Sequence, residues 1–454
     1  MDFLLSYIVP FFGMLIALIV IHEAGHYITA KIFGIKVLEA GLGYPPRVWG
    51  FTWRGTIYSV NWLPLGGFVR LLGEEDPEDP ESLAAAAAWK RLIVLGSGAA
   101  MNLALPVLLF ALVFMIPRDV ATGPAVISTV MQDSPADRAG LESGDIVISI
   151  DGDHIKNTSD LAREIRLRQG QTIDFEVRRS DPITGDETLT IPVLSRWNPE
   201  ATVHVVEEGE TSSSIARDLG LPLESVLFEA DIEFQLEEGQ EFTVETDNGP
   251  QEYTVREGDT VASVARRLDS SREDVRIAAG LPDPDVIEVG KELRFSQGPT
   301  GITISNLYPF TEKESFGLVT SLDKGWTATL ESLTLARNQV VAIFHGGGGP
   351  DFAGPVGIAQ TTGEVVEESG WKPLLELAAL LSINLGIINL LPLPMLDGGR
   401  IAFVLLEVAR RGKRIAPEKE AIVHLIGLAL ILTMAVVVTY FDVARIIAGD
   451  SLFG

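Results

Sequence analysis

The run Met14-Leu15-Ile16-Ala17-Leu18-Ile19-Val20-Ile21-His22-Glu23-Ala24-Gly25-His26 carries an apolar segment straight into two imidazoles and a carboxylate. The apolar part, from Phe3 to Ile21, has the length a helix needs to cross a bilayer. On a helix, positions i and i+4 share a face, so His22 and His26 can reach one metal ion while Glu23 lies beside them as a base. Ionisable groups inside a span are costly unless partnered, so these three call for a compensating ion or a polar network. The segment has no basic n-region and no small-residue cleavage site, and it is expected to be a retained span rather than a removed leader.

Three further stretches have spanning length and character: Leu92 to Ile116, Leu374 to Leu396 and Ala421 to Tyr440. With 46% hydrophobic residues and a mean hydropathy of +0.25, the 454-residue chain is too apolar for an ordinary soluble protein. The expected class is a polytopic α-helical membrane protein with four transmembrane helices. Seven basic residues lie between Lys31 and Arg91 and six between Arg400 and Lys419, which predicts that both short connections are cytoplasmic and both termini outside. The stretch 119–371 carries 19 basic and 46 acidic residues and so holds the whole net charge of −27, as expected of a translocated soluble region. Such a balance speaks against nucleic acid as a partner, because phosphates need clustered cations. The absence of cysteine excludes disulfides, a thiolate nucleophile and Cys-based metal sites, so any metal must sit on His and carboxylates.

Zinc on two His needs a third protein ligand and an open position for water. Asp397 is the candidate, ending the third apolar stretch in Asn389-Leu390-Leu391-Pro392-Leu393-Pro394-Met395-Leu396-Asp397-Gly398-Gly399; the competing interpretation is a solvated carboxylate at a helix end. Pro392 and Pro394 break the helix, and irregular backbone is tolerated at membrane depth only where protein or a cavity surrounds it. Leu38 to Leu72, rich in Trp, Tyr and Phe around Arg54-Gly55, predicts an aromatic β-hairpin with too few charges to be simply solvated. Lys324 to Phe344 has apolar residues at helical intervals, consistent with an amphipathic helix on the outer membrane face that gates access.

Within 119–371, short strands (Ala125 to Val130, Ile146 to Ile150, Thr172 to Val177, Thr188 to Val193) surround a helix near Ser159 to Arg168. Ser134-Pro135-Ala136-Asp137-Arg138-Ala139-Gly140-Leu141, with Gly144-Asp145-Ile146-Val147 and Ile150-Asp151-Gly152, resembles a bacterial PDZ domain. The resemblance implies a groove along Gly123-Pro124-Ala125-Val126-Ile127 that takes a peptide C-terminus by strand addition; the alternative is a domain that blocks access by bulk. Val206-Glu207-Glu208-Gly209-Glu210-Thr211 then recurs as Val255-Arg256-Glu257-Gly258-Asp259-Thr260. The two copies resemble LysM modules, which implies peptidoglycan or another glycan as partner; a degenerate structural spacer is the other interpretation.

His22-Glu23-x-x-His26 taken with Asn389 to Gly399 resembles the site-2 protease family of intramembrane zinc metalloproteases, peptidase family M50, in its bacterial four-span branch. Gly66-Gly67-Phe68-Val69, Gly98-Ala99-Ala100-Met101-Asn102, Gly354-Pro355-Val356-Gly357-Ile358-Ala359 and Ser382-Ile383-Asn384-Leu385-Gly386 extend the likeness over nearly everything outside Thr202 to Phe295. The resemblance implies Zn²⁺ on His22, His26 and Asp397, Glu23 as general base and acid, and a membrane-associated β-hairpin whose edge, at Gly66, Gly67 and Phe68, receives the unwound substrate. Asn384 and Asn389 either hold that substrate backbone or serve as helix-packing polar groups. Expected partners are membrane lipid and single-span transmembrane substrates already trimmed outside the membrane, such as anti-sigma factors or signal-peptide remnants. The expected location is the bacterial cytoplasmic membrane, with the PDZ-like and LysM-like modules extracytoplasmic and the active site toward the cytoplasm. The implied domains are a first membrane part at 1–117, a PDZ domain at 118–200, LysM-like modules at 201–250 and 251–297, a linker with the amphipathic helix at 298–370, and a second membrane part at 371–454. An envelope-anchored binding protein with an inert metal site is the alternative class, and the intact His22, Glu23, His26 and Asp397 set argues against it.

Overall fold

The computed structural model describes residues 9–448 except 75–77, 182–184, 200, 309, 347–357, 359–361, 363–371 and scattered positions within 220–286. The Gly354 to Ala359 motif therefore lies outside the described residues apart from Ile358, as does Glu257 to Thr260 of the second repeat. The chain forms two compact units, one of residues 1–119, 313–337 and 349–454, the other of 120–312 and 338–348.

The first unit contains helices α1 (Val9–Ile32), α2 (Ala88–Met115), the 318–337 part of α3 (Leu318–Phe344), α4 (Pro373–Leu390), α5 (Asp397–Ala409) and α6 (Pro417–Ala448), with strands β1 (Val37–Trp53) and β2 (Thr56–Leu71). Helices α1, α2, α4 and α6 are long and apolar enough to cross a membrane. α1 does not stop at Ile21 but runs through His22 and His26 to Ile32. Its one proline, Pro10, lies in the first turn, and Gly34, at φ 75°, closes it with the Ile35 amide on the Ala30 carbonyl. α4 ends at Leu390, because Pro392 and Pro394 cannot continue the ladder. This corrects the span expected to reach Leu396: Asp397 opens a separate helix, where its charge suits the positive N-terminal end.

The hairpin is present as expected. Arg54 and Gly55 both take positive φ, 49° and 77°, the geometry of a two-residue primed turn matched to strand twist. Its long strands fold back on themselves: Ala40 is opposite both Val69 and Tyr58, and Tyr58 is also opposite Phe51. The two strands thus make a layer four segments wide. Lys31 Nζ donates to Thr56 Oγ1 at 2.8 Å and the Tyr27 and Tyr58 hydroxyls meet at 2.6 Å, fastening the layer to α1. Ala30, Val37, Leu71, Val94 and Val404 join α1, the hairpin, α2 and α5 in one apolar cluster. Phe110, Ala379 and Ile383 join α2 to α4, with Ala328 and Leu333 of α3 against them. The helix expected to lie on a membrane face is therefore packed onto the bundle, and Gly325 sits so close to the Val107 carbonyl that a Cβ would overlap it.

In the second unit, β3 (Ala125–Val130), β4 (Ile146–Ile150), β5 (Thr172–Asp181) and β6 (Gly185–Leu194) form a sheet with the strand Ile302–Asn306, which pairs with β3 on the side away from β4. Ile127, Ile150, Leu161, Ile173, Phe175 and Val177 fill its core. The strand expected to offer a free peptide-binding edge therefore has none: Ile304 is opposite Ile127, and the partner arrives from beyond the insert. The two repeats also differ from the sequential modules expected at 201–250 and 251–297. Strand Ala201–Val205 pairs with Glu292–Ser296, and Glu241–Thr246 pairs with Gly249–Thr254. One core (Val206, Ile215, Val226, Leu293, Phe295) thus takes residues from both ends of the insert, and the other (Phe242, Val244, Tyr253, Val264, Val275) lies between them in sequence. Each repeat's closing strand is exchanged: Glu241–Thr246 and Gly249–Thr254, consecutive in sequence, pair antiparallel with each other.

Candidate metal centre

α1 carries His22 and His26 one turn apart, with their Nε2 atoms 3.2 Å from each other. Asp397, at the first position of α5, brings Oδ2 to 3.2 Å from His22 Nε2 and 3.3 Å from His26 Nε2. These three form the one set of His and carboxylate ligand atoms close enough to hold a metal ion among the described residues. Zinc bonds of about 2.0 Å set the edges of a regular tetrahedron at about 3.3 Å, so the triangle has the size of one tetrahedral face. Asp397 Oδ2 is buried and makes no well-formed hydrogen bond. An anionic oxygen facing two ring nitrogens in this way fits a shared cation.

The surrounding contacts orient the rings. His26 Nδ1 donates to the Val94 carbonyl at 2.8 Å, which leaves Nε2 as the free lone pair. His22 Nδ1 lies 3.2 Å from the Asn102 amide, whose Oδ1 is buried without a partner. Turning that amide end for end places its oxygen on His22 Nδ1–H, giving both rings the same tautomer. The Asn102 carbonyl in turn accepts the Ser382 hydroxyl at 2.7 Å, linking α2 to α4. Gly98 of α2 faces the pair, and a Cβ there would overlap His26 Nε2. At Asp397 the chain bends back so tightly that Gly398 and Gly399 press on the carbonyls of Leu390, Leu391 and Leu393.

Glu23 is not part of the triangle; it faces the hairpin, where a Cβ on Gly67 would lie 3.5 Å from Glu23 Cγ. Gly66 takes φ 106° beside the Tyr44 ring, and Phe68 stacks on that ring with centroids 6.3 Å apart. Asn384 is exposed and Asn389 half-buried on α4, and neither makes a hydrogen bond among the described residues. The structure thus gathers His22, His26 and Asp397 and sets Gly67 against Glu23. Asn102 acquires a place beside His22 that its motif alone did not assign. An open pocket beside Phe68 is lined by Glu39, Tyr44, Pro45, Arg47, Asn61 and Arg70. Burial pushes the Glu39 carboxyl up, but hydrogen bonds from Ser59 and Arg47 and the charges of Arg47 and Arg70 outweigh it and hold the group below its ordinary 4.5.

A His–His–Asp cluster at the centre of apolar helices defines a membrane protein with an internal site fit for a metal. Residues 10–434 match the model of Peptidase family M50. Zinc metalloprotease RasP of Geobacillus kaustophilus is 29% identical over 97% of this chain and 98% of its own length. Zinc metalloprotease RasP of Oceanobacillus iheyensis is likewise 29% identical, over 97% of this chain and 99% of its own. The chain belongs to Peptidase family M50, the site-2 proteases, and through it to the intramembrane zinc metalloproteases that act on membrane proteins.

Proposed function

We propose that His22, His26 and Asp397 hold the zinc ion and that Glu23 is the proton carrier in hydrolysis of peptide bonds within the spans of single-pass membrane proteins. The observation that carries this is the ligand triangle of 3.2, 3.2 and 3.3 Å with its buried, unbonded Asp397 oxygen. Zinc bound there supplies a Lewis acid that acidifies water and polarises a carbonyl. Glu23, one residue from His22 and outside the ligand set, takes the proton of the attacking water and returns it to the leaving amine. Val94 and Asn102 keep the imidazoles turned with Nε2 inward.

A spanning helix hides its peptide groups in its own hydrogen bonds and must be extended before water can attack. The segment Gly66 to Phe68, beside Glu23 and on an outer strand segment of the hairpin, is the edge on which an extended substrate is held. Asn384 and Asn389 serve the same substrate backbone from α4. The basic short connections support an orientation with the hairpin and the metal centre toward the cytoplasm and the acidic stretch 119–371 outside. There the PDZ-like sheet excludes untrimmed ectodomains by bulk, since its Ala125–Val130 edge is taken by the chain itself; the LysM-like insert meets envelope glycan. The test is cleavage of a transmembrane substrate with a short ectodomain by the purified protein, with metal content measured alongside. Glu23→Gln is expected to keep about one zinc per chain and to lose at least ~10²-fold in rate, whereas Asp397→Asn loses both; retained turnover in Glu23→Gln removes Glu23 from the reaction.

A further inference from the structure

Asp397 stands at the end of a bend with little internal hydrogen bonding. Of residues 391–396, Pro392 and Pro394 have no amide hydrogen. Leu391, Leu393 and Leu396 donate to Ile388, Leu391 and Leu393, all local carbonyls. Met395 differs. Its N–H donates to His424 Nδ1 on α6 at 2.9 Å, a partner 29 residues further along the chain. Met395 also takes φ 75°, in the left-handed region that a side-chain-bearing residue occupies only when its surroundings hold it there.

His424 grips both sides of Asp397. Its ring lies 5.5 Å from that of Phe403, in the second turn of the helix Asp397 opens. One turn further along α6, Gly427 meets Pro394 so closely that a Cβ would overlap it. The His424 side chain is 12% exposed, although most of α6 around it is exposed apolar surface, including Leu425 and Ile426 at 66% and 64%. Since the Met395 amide can only donate, Nδ1 is the acceptor and the ring proton sits on Nε2, which faces Glu420 Oε1 at 3.9 Å. A polar side chain on a spanning helix that accepts from a strained backbone amide two residues before a ligand has a positioning task.

We propose that His424 is a positioning residue that fixes Asp397 in ligand geometry by holding the Met395 amide. The proposal rests on Asp397 being the third ligand. Its test is zinc affinity, measured by competition with a chelating dye in detergent, together with kcat and KM on a short transmembrane substrate. His424→Leu is expected to weaken zinc binding about 10- to 100-fold, as removal of an outer-shell partner does, and to lower kcat while KM moves little. His424→Asn sets an acceptor oxygen as many bonds from Cα as Nδ1 and is expected to restore most of both; His424→Gln, one bond longer, is not. Met395→Gly in the His424→Leu background relieves the positive φ and is expected to recover part of the affinity. Asn and Gln variants of equal, near wild-type affinity, or an Asn variant no better than Leu, overturn the proposal. Wild-type zinc affinity in Asp397→Asn overturns the ligand assignment instead. Loss in Asp397→Asn with none in His424→Leu leaves that assignment standing and removes His424.

Discussion

The two units are built inside out with respect to each other. In the first, polar His22, Asn102, Ser97 and Ser382 are buried beside the apolar clusters, while Leu108, Leu112, Leu425 and Leu430 are 48–66% exposed. In the second, Phe175, Ile127, Ile150 and Val177 are fully buried, and the stretch 119–371 that contains it carries the entire net charge of −27. The same rule, that a side chain goes where its solvent is not, gives opposite distributions because one unit is dissolved in lipid and the other in water. A functional site made of charges is then the interior of the first unit, whereas in the second it could only be a surface feature.

Substitutions that invert each pattern test this contrast. The largest expected effect is in the water-facing unit: Phe175→Ala removes a fully buried ring and is expected to cost about 3–5 kcal/mol. Hydrogen exchange on the full chain should show this as lost protection in 125–194 with α1 and α2 unchanged. A loss shared equally by both units would mean that they do not fold as separate bodies. Leu430→Lys, harmless on a soluble surface, is expected to cost about 2.5–3.5 kcal/mol of membrane insertion, seen as reduced yield in the membrane fraction. Asn102→Leu makes the centre of the first unit more apolar and should weaken zinc binding about 10- to 100-fold, because His22 loses its orienting partner. Insertion itself should be unaffected.

A smaller effect separates the hairpin from both. Glu39 has a folded pKa below its ordinary 4.5, so the stability it contributes is complete above that value and lost as pH falls through the lowered folded one. The stability gap between wild type and Glu39→Gln, followed by tryptophan fluorescence in detergent, is expected to be constant from neutral pH down to about 5 and to close below it. A gap that widens on acidification would reverse the sign of the shift. The smallest expected effect is that of deleting 202–295. Thr202 pairs with Phe295 and Ala201 with Ser296, so the cut ends are already neighbours. Cleavage of a short substrate should persist.

How much could be read from residues alone follows from how local each feature is. The existence of four spans, the Arg54-Gly55 turn and strands β3 and β4 depend on periodicity and turn chemistry within a few residues and are found as expected, whereas the ends of the first and third spans are not. The His22, His26 and Asp397 convergence was accessible because unpaired charge in an apolar run demands a partner. Exchanged strands in the insert were not, since both pairings use the same residues and only turn closure chooses between them. Strand 302–306 beside β3 was hidden for a similar reason, with its partner some 170 residues away. The separate helix at Asp397 had a signature that span length concealed, an acidic residue just after a proline-rich break. Asn102 and His424 were beyond reach, because their roles lie in single long-range hydrogen bonds.

Hydrolysis also consumes one water molecule for every bond it breaks, and a bilayer interior holds almost none. The pocket edged by Arg47, Asn61, Arg70 and Glu39 opens beside Phe68, the neighbour of the glycine that faces Glu23. Its charged and amide groups suit water, and they line a space next to the strand segment that faces Glu23. With the roles proposed above for Glu23 and Gly66 to Phe68, the hairpin would lead in the second reactant as well as receive the first, and turnover should fall when Arg47 and Arg70 are replaced by leucine.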